Sequence, residues 1–398
     1  MTTTPRPVRV AALCVFISFV LSGVTFASWA ARLPAVRDQL GLSPQQMGLV
    51  LLVGSLGSVL ALPLSGRIVG MIGSRNTIVA ATALAVAGFG GAVWAVNLGS
   101  VLLVAVGLFA AMMGISAWDV GMNFSGTVVE RRLGRSIMPW FHGGYSIGTV
   151  AGAAGGALAS RVGLTLSMHV AVVLPVVLIV TLVAMRGLLP DVEPAEQASG
   201  ATTAQAGYGR SWLEPRTLMV GLVVLAAGLT EGAANDWLAL AVVDGFGTSN
   251  DVGAFGFTIF VVAMTVMRFA GTGLIDRFGR LAVLRLSTAL AILGLLIFVC
   301  VPWLPVALVG ALLWGLGAAL GFPVGMSAAS DEPLKAAARL SVVATVGYSA
   351  FLVGPGLLGL LAEQVGYRLA LIAVVLPLLA SLLVLRATRP PQVQDRQR

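Results

Sequence analysis

The chain alternates long apolar runs with short polar interruptions. Each run is about 20 residues, the length at which a helix crosses the hydrocarbon core of a bilayer. The runs fall at roughly 9–31, 46–66, 77–97, 100–125, 138–160, 164–186, 217–243, 252–273, 281–301, 304–329, 339–361 and 367–385. This pattern predicts an all-α membrane protein of twelve transmembrane helices, six on each side of one long polar connection. That connection, 189–214, opens with Pro190, Asp191, Glu193, Pro194 and Glu196 and continues in Ala, Thr and Gly, the composition of a flexible linker. The expected organisation is a six-helix bundle at 1–188, a linker at 189–214 on the side of the termini, and a second six-helix bundle at 215–398. The other interruptions are short, so consecutive helices run antiparallel.

The two groups of six repeat one another. Val120-Gly121-Met122 recurs as Val324-Gly325-Met326 at an offset of 204, and Gly144-Tyr145-Ser146 recurs as Gly347-Tyr348-Ser349 at 203. The basic stretch between them also recurs, as Arg131, Arg132 and Arg135 in one copy and Lys335 and Arg339 in the other. Two membrane-embedded repeats of equal length are a common plan for secondary transporters, with the substrate held between them near the midplane.

Composition agrees with this reading. Hydrophobic residues make up 58% of the chain and charged residues 10%, against about 25% charged in a soluble domain; a soluble fold is excluded. The net charge of +8 reports topology and implies no nucleic acid. Of the 24 basic residues, nineteen fall on the side of the termini, four on the other side (Arg32, Arg37, Arg161 and Arg368), and Arg268 lies within a span. The positive-inside rule then puts both termini in the cytoplasm. Arg6 and Arg9 before an apolar run imitate a signal peptide, but that run completes the repeat and is read as the first transmembrane helix. Cys14 and Cys300 both lie in spans and are read as apolar filler.

Ionisable groups inside the membrane are costly and mark function by default. Four stand out: Asp119, Glu231, Asp236 and Arg268. Glu231 lies mid-span in Thr230-Glu231-Gly232-Ala233-Ala234-Asn235-Asp236-Trp237, where a carboxyl can load and release a proton; Asn235 and Asp236 lie nearer the outer mouth. Asn123 is one turn from Asp119 and shares its face. Arg268 needs an anionic partner or an anionic substrate, and either Glu231 or Asp119 can serve as the partner. Trp29, Trp118, Tyr145, Trp237 and Tyr348 are the aromatics placed to stack on a substrate, whereas His142, at the start of the fifth span, reads as interfacial. Gly144, Gly148, Gly152 and Gly156 recur every four residues down that span, a groove for close helix packing or for one half to rock on the other. No metal-ligand spacing, nucleotide loop or nucleophile motif is present, so no cofactor, metal or direct ATP drive is expected.

The loop Thr272-Gly273-Leu274-Ile275-Asp276-Arg277-Phe278-Gly279-Arg280 matches Gly66-Arg67-Ile68-Val69-Gly70-Met71-Ile72-Gly73-Ser74-Arg75 at an offset of 206. Both resemble the signature loop of the major facilitator superfamily, and the six-plus-six repeat extends the resemblance over the whole chain. The resemblance implies a cytoplasmic gate built from Asp276, Arg277, Arg280 and Arg75. Thr272 departs from the family glycine and Gly70 replaces the family acid, which weakens the first copy of the gate. Glu231-Gly232-x-x-x-Asp236-Trp237, with Asp119 through Glu130, looks closest to bacterial inner-membrane members of poorly assigned substrate, multi-pass with both termini cytoplasmic and related to the fucose–proton symporter branch. That branch uses acids in its first and fourth spans. Asp119 stands at the fourth-span place, but the first span has none, so the fucose mechanism does not carry over intact.

The reading is a monomeric secondary transporter in a lipid bilayer, working by alternating access on a small-molecule substrate. Proton coupling is expected through Glu231 first and Asp119 second, with symport of a sugar or small metabolite favoured. Two alternatives stay open: a proton-driven exporter of drugs or metabolites, and a membrane enzyme using Asp119 and His142. The exporter reading is weakened by Ala151-Gly152 in the fifth span, where antiporters of the family carry Gly-Pro.

Overall fold

The computed structural model describes residues 5–134, 137–191, 211–332 and 335–389; 192–210 of the linker, with Arg135, lie outside the described residues. Among the described residues there are helices and no strand, as expected where lipid offers a backbone no hydrogen-bond partner. The first half consists of α1 (Arg6–Ala30), α2 (Leu33–Leu40), α3 (Pro44–Asn97), α4 (Val101–Leu133), α5 (Met138–Arg161) and α6 (Leu166–Ala184). The second consists of α7 (Pro215–Phe246), α8 (Asn250–Phe278), α9 (Arg280–Cys300), α10 (Leu304–Ala318), α11 (Gly321–Ala329), α12 (Ala336–Val365), α13 (Tyr367–Ala370) and α14 (Val375–Val384). Ten helical stretches among the described residues are long and apolar enough to cross a membrane. Their outward faces carry large apolar side chains such as Leu102 and Leu383, a surface that suits lipid.

At 1.5 Å per residue an unbroken α3 would run about 80 Å, far beyond a hydrocarbon core of about 30 Å. Gly73 breaks it, with φ 82° and ψ 160°. Gly279 takes nearly the same angles, φ 80° and ψ 152°, between α8 and α9. Only glycine adopts this backbone without strain, so the loop repeat seen in sequence is also a repeat of backbone geometry. Directly after Gly73, the Ser74 amide and hydroxyl each donate to the Asp191 carboxylate at 2.6 Å. Asp191 thus caps the second arm of α3 from the start of the linker. Asp191→Ala is expected to cost about 1–2 kcal/mol, measurable as a lowered melting temperature in detergent.

The glycine groove of α5 packs on α1 within the first half. A methyl on Gly148 would lie 2.0 Å from the Val20 carbonyl oxygen, and one on Gly152 would lie 2.6 Å from that of Val24. In this conformation the groove is a packing surface inside one half.

Between the halves, the polar contacts gather at the face opposite the termini, while α5 packs on α8 nearer the other end, where a methyl on Gly143 would lie 2.7 Å from the Phe269 ring. Arg37, just after α1, pairs with Asp244 near the end of α7 at 2.5 Å. The Asn250 side chain donates to Asp38 at 2.9 Å, and the Gln45 amide donates to Glu363 at 3.0 Å. Beneath them α3 and α12 touch backbone to backbone: a methyl on Gly48 would lie 2.8 Å from the Pro355 carbonyl oxygen and 2.9 Å from Gly359 Cα. This face is closed.

Candidate functional site

Six side chains from five helices come together between the halves at mid-helix depth. On the second half, Arg268 of α8 reaches α7, and its Nη2 donates to both carboxylate oxygens of Glu231 at 3.0 Å. Both side chains are largely shielded, at 25% and 17% exposure. The open choice of partner for Arg268 is resolved: it takes Glu231. Asp119 of α4 is instead held locally, its Oδ1 accepting from the Asn123 side-chain amide at 3.1 Å while the same amide donates to the Asp119 carbonyl at 2.9 Å.

Across the gap, His142 and Tyr145 of α5 lie in the field of the Arg268 charge. Tyr145 and Tyr348 of α12 both lie in the fields of Asp119 and Glu231. Asp119, His142 and Tyr145 from the first half therefore face Glu231, Arg268 and Tyr348 from the second. The arrangement offers one fixed cation, two carboxyls, an imidazole and two phenols to whatever enters, and an ion pair that a competing proton or ligand can open.

The second half adds an aromatic wall that the sequence reading missed. Phe322 packs edge-on to Tyr348 at 5.6 Å, and Phe351 lies 6.2 Å from Tyr348. Phe322 is placed by a break between α10 and α11, where Gly321-Phe322-Pro323 restarts the helix. A discontinuous membrane helix at the repeat interface is a recurrent mark of a binding site. The Gly-x-Pro triplet inside an apolar run was the available signal. His142 is exposed, its ring meets Phe19 at 5.1 Å, and it lies in the field of Arg268.

Two expected cavity aromatics are corrected. Trp118 is fully buried inside the first half, its indole N–H donating to Ser18 Oγ at 2.7 Å. Trp237 is fully buried against Tyr367, ring to ring at 5.6 Å. Both faces turn into helix packing, where no substrate reaches. Trp29 is buried on Phe89 at 5.4 Å and lines a cleft shared with Asp236. Asn235, beside Asp236, is half-buried.

The expected gate is not assembled in this conformation. Asp276 is exposed and forms no ion pair among the described residues; Arg75 is exposed as well, and Arg277 lies over the Phe278 ring at 5.2 Å. The turn at Gly279 swings Arg280 away from Asp276 and onto Asp331, which it meets at 2.9 and 3.0 Å. Arg216 joins the same carboxylate at 2.9 Å. Beside it Arg339 pairs with Glu214 at 2.6 Å and Glu332 at 2.8 Å. These pairs tie the second half to itself at the face of the termini and do not bridge to the first.

The Arg339 hydrogen bonds hold the Glu214 and Glu332 carboxyls below their usual value of 4.5. A lowered folded value means the stability from these pairs is present above 4.5 and is lost as pH falls through the folded values. Melting temperature is therefore expected to drop on acidification below 4.5, and Arg339→Gln should flatten that drop.

Comparison with known proteins fits this geometry. The family model of the Major Facilitator Superfamily matches residues 12–234 and 220–398, and the chain belongs to that superfamily: it is a membrane transporter and not an enzyme. It is 33% identical to the uncharacterized transporter y4wD of Sinorhizobium fredii over 91% of this chain and 96% of that protein. It is 28% identical to the membrane protein MosC of Rhizobium meliloti, over 91% and 86% respectively. Among solved structures it resembles the nucleoside transporter NupG (TM-score 0.76, 14% identity, 95% of this chain and 98% of that one). It also resembles the Escherichia coli fucose:proton symporter FucP (TM-score 0.65, 17% identity, 97% and 100%). At these identities the likeness is one of fold.

Proposed function

We propose that this secondary transporter moves a small polar solute, a sugar or a comparable metabolite, together with protons by alternating access. The observation that carries the proposal is the Arg268–Glu231 pair, desolvated at mid-helix depth and facing Asp119 and two tyrosines across the gap. A proton on Glu231 weakens its hold on Arg268, freeing the guanidinium and the facing phenols for substrate hydroxyls. Asp119 is the second acid. Two proteins of like fold, a fucose:proton symporter and a D-xylose-proton symporter, agree with this chemistry.

The moving parts are the bundles 1–188 and 215–398, joined by 189–214. Twelve spans follow if Gly73 divides α3 and the glycine-rich α5 is counted. The face of the termini is the cytoplasmic one, by the excess of Arg there, in a bacterial inner membrane with the protein acting as a monomer. The conformation described is closed at the opposite, outer face.

The test is solute uptake into proteoliposomes under an imposed inward proton gradient, screening sugars, nucleosides, organic acids and cationic drugs. Wild type should accumulate a polyhydroxylated solute and alkalinise the outside medium as it does so. Glu231→Gln should lose accumulation and proton movement while retaining solute exchange. Proton-coupled accumulation unchanged in Glu231→Gln would sink the assignment.

A further inference from the structure

Asp236 has no role in the constellation above. It projects from α7 of the second half into a cleft whose other walls belong to the first half. Facing it are Trp29 of α1, Leu33 of α2, Leu51 and Ser55 of α3, and Leu108 and Met112 of α4. No titratable group lines the cleft from these four helices. On its own helix the nearest carboxyls are already engaged, Glu231 with Arg268 and Asp244 with Arg37. Asp236 itself has no hydrogen bond or ion pair among the described residues. The cleft has about 30 Å³ of room, enough for a water or two and far short of a carboxylate's hydration shell.

The geometry points to Asp236 as a further proton site, one that binds its proton when the face opposite the termini closes and releases it when that face opens. An ionised carboxylate facing tryptophan, leucine and methionine, with no cation in reach, is strongly disfavoured, whereas the neutral acid is tolerated. Separation of the halves removes the first-half wall and admits water, and the carboxylate is then the stable form. Asp236 therefore links proton occupancy to closure of this face independently of the Glu231–Arg268 pair. One linked proton changes the closed-to-open ratio by at most tenfold per pH unit, and lower pH favours closure.

The experiment measures the distance between spin labels on Val162 and Trp303, exposed positions on the two halves at the face opposite the termini. The full-length protein carries Cys300→Ser, since Cys300 is exposed and Cys14 is buried. The closed population should rise as pH falls in the parent. Asp236→Asn should stay closed across the range, and Asp236→Glu should regain a pH response.

An unchanged pH response in Asp236→Asn, or none in the parent, overturns the inference. Glu231→Gln measured in parallel separates the two readings. A response lost in Glu231→Gln but kept in Asp236→Asn overturns the role of Asp236 and leaves proton coupling through Glu231 standing. The reverse result supports Asp236.

Discussion

Glu231→Ala and Arg268→Ala should each destabilise the folded protein by about 3–5 kcal/mol, the usual cost of leaving one member of a desolvated ion pair without its partner. The magnitude follows from the setting. Both oxygens of Glu231 are 3.0 Å from one guanidinium nitrogen, and neither side chain is more than 25% exposed. The double variant Glu231→Gln with Arg268→Gln removes both charges at nearly constant volume. It should recover most of the lost stability, because a buried pair contributes little beyond compensating its own desolvation. It should not recover transport, because neither the Glu231 carboxylate nor the Arg268 guanidinium remains. Melting temperatures of the two single variants and the double variant, set beside their uptake rates, separate a structural brace from a working pair. A double variant that transports at the wild-type rate would reduce the pair to a brace.

The charged members of this site were legible because an ionisable residue stands out in an apolar run. Glu231, Arg268 and Asp119 each interrupt such a run, and the expense of each made it a candidate. The break at Gly73 and its echo at Gly279 were likewise readable, since the loop repeat aligns them. What sequence could not supply was the rotation of each helix about its own axis. In a soluble helix the polar side marks the outside, but here lipid is as apolar as the core, so both sides look alike. Trp118 and Trp237 were placed in the cavity for that reason, and Phe322 and Phe351 were passed over. Partners distant in sequence were hidden for another reason. Asp276 sits four residues from Arg280 in the family motif, yet Arg280 reaches Asp331, 51 residues on, because the Gly279 turn redirects it.

Gly48→Leu is expected to leave the fold intact and to stop the transport cycle. Gly48 lies in an α-helix, where leucine is intrinsically better than glycine by roughly half to one kcal/mol. Its β-carbon would nonetheless meet backbone atoms of α12, the Pro355 carbonyl oxygen at 2.8 Å and Gly359 Cα at 2.9 Å. Backbone cannot rotate out of the way as a side chain can, so the halves must part at this face. Overpacking of this kind costs about 1–3 kcal/mol, and the whole cost falls on the closed conformation. The closed population should fall by roughly tenfold to a hundredfold, and uptake should fall with it, since every cycle passes through closure of this face.

Gly148→Leu makes the contrasting case. Its β-carbon would lie 2.0 Å from the Val20 carbonyl oxygen, but α1 and α5 belong to the same half. That clash is present in both conformations, so it should lower the melting temperature without biasing the equilibrium. Label distances across the closed face, read beside melting curves, distinguish the two outcomes. Equal loss of stability in both variants with no conformational shift in Gly48→Leu would mean that α3 and α12 stay together throughout the cycle.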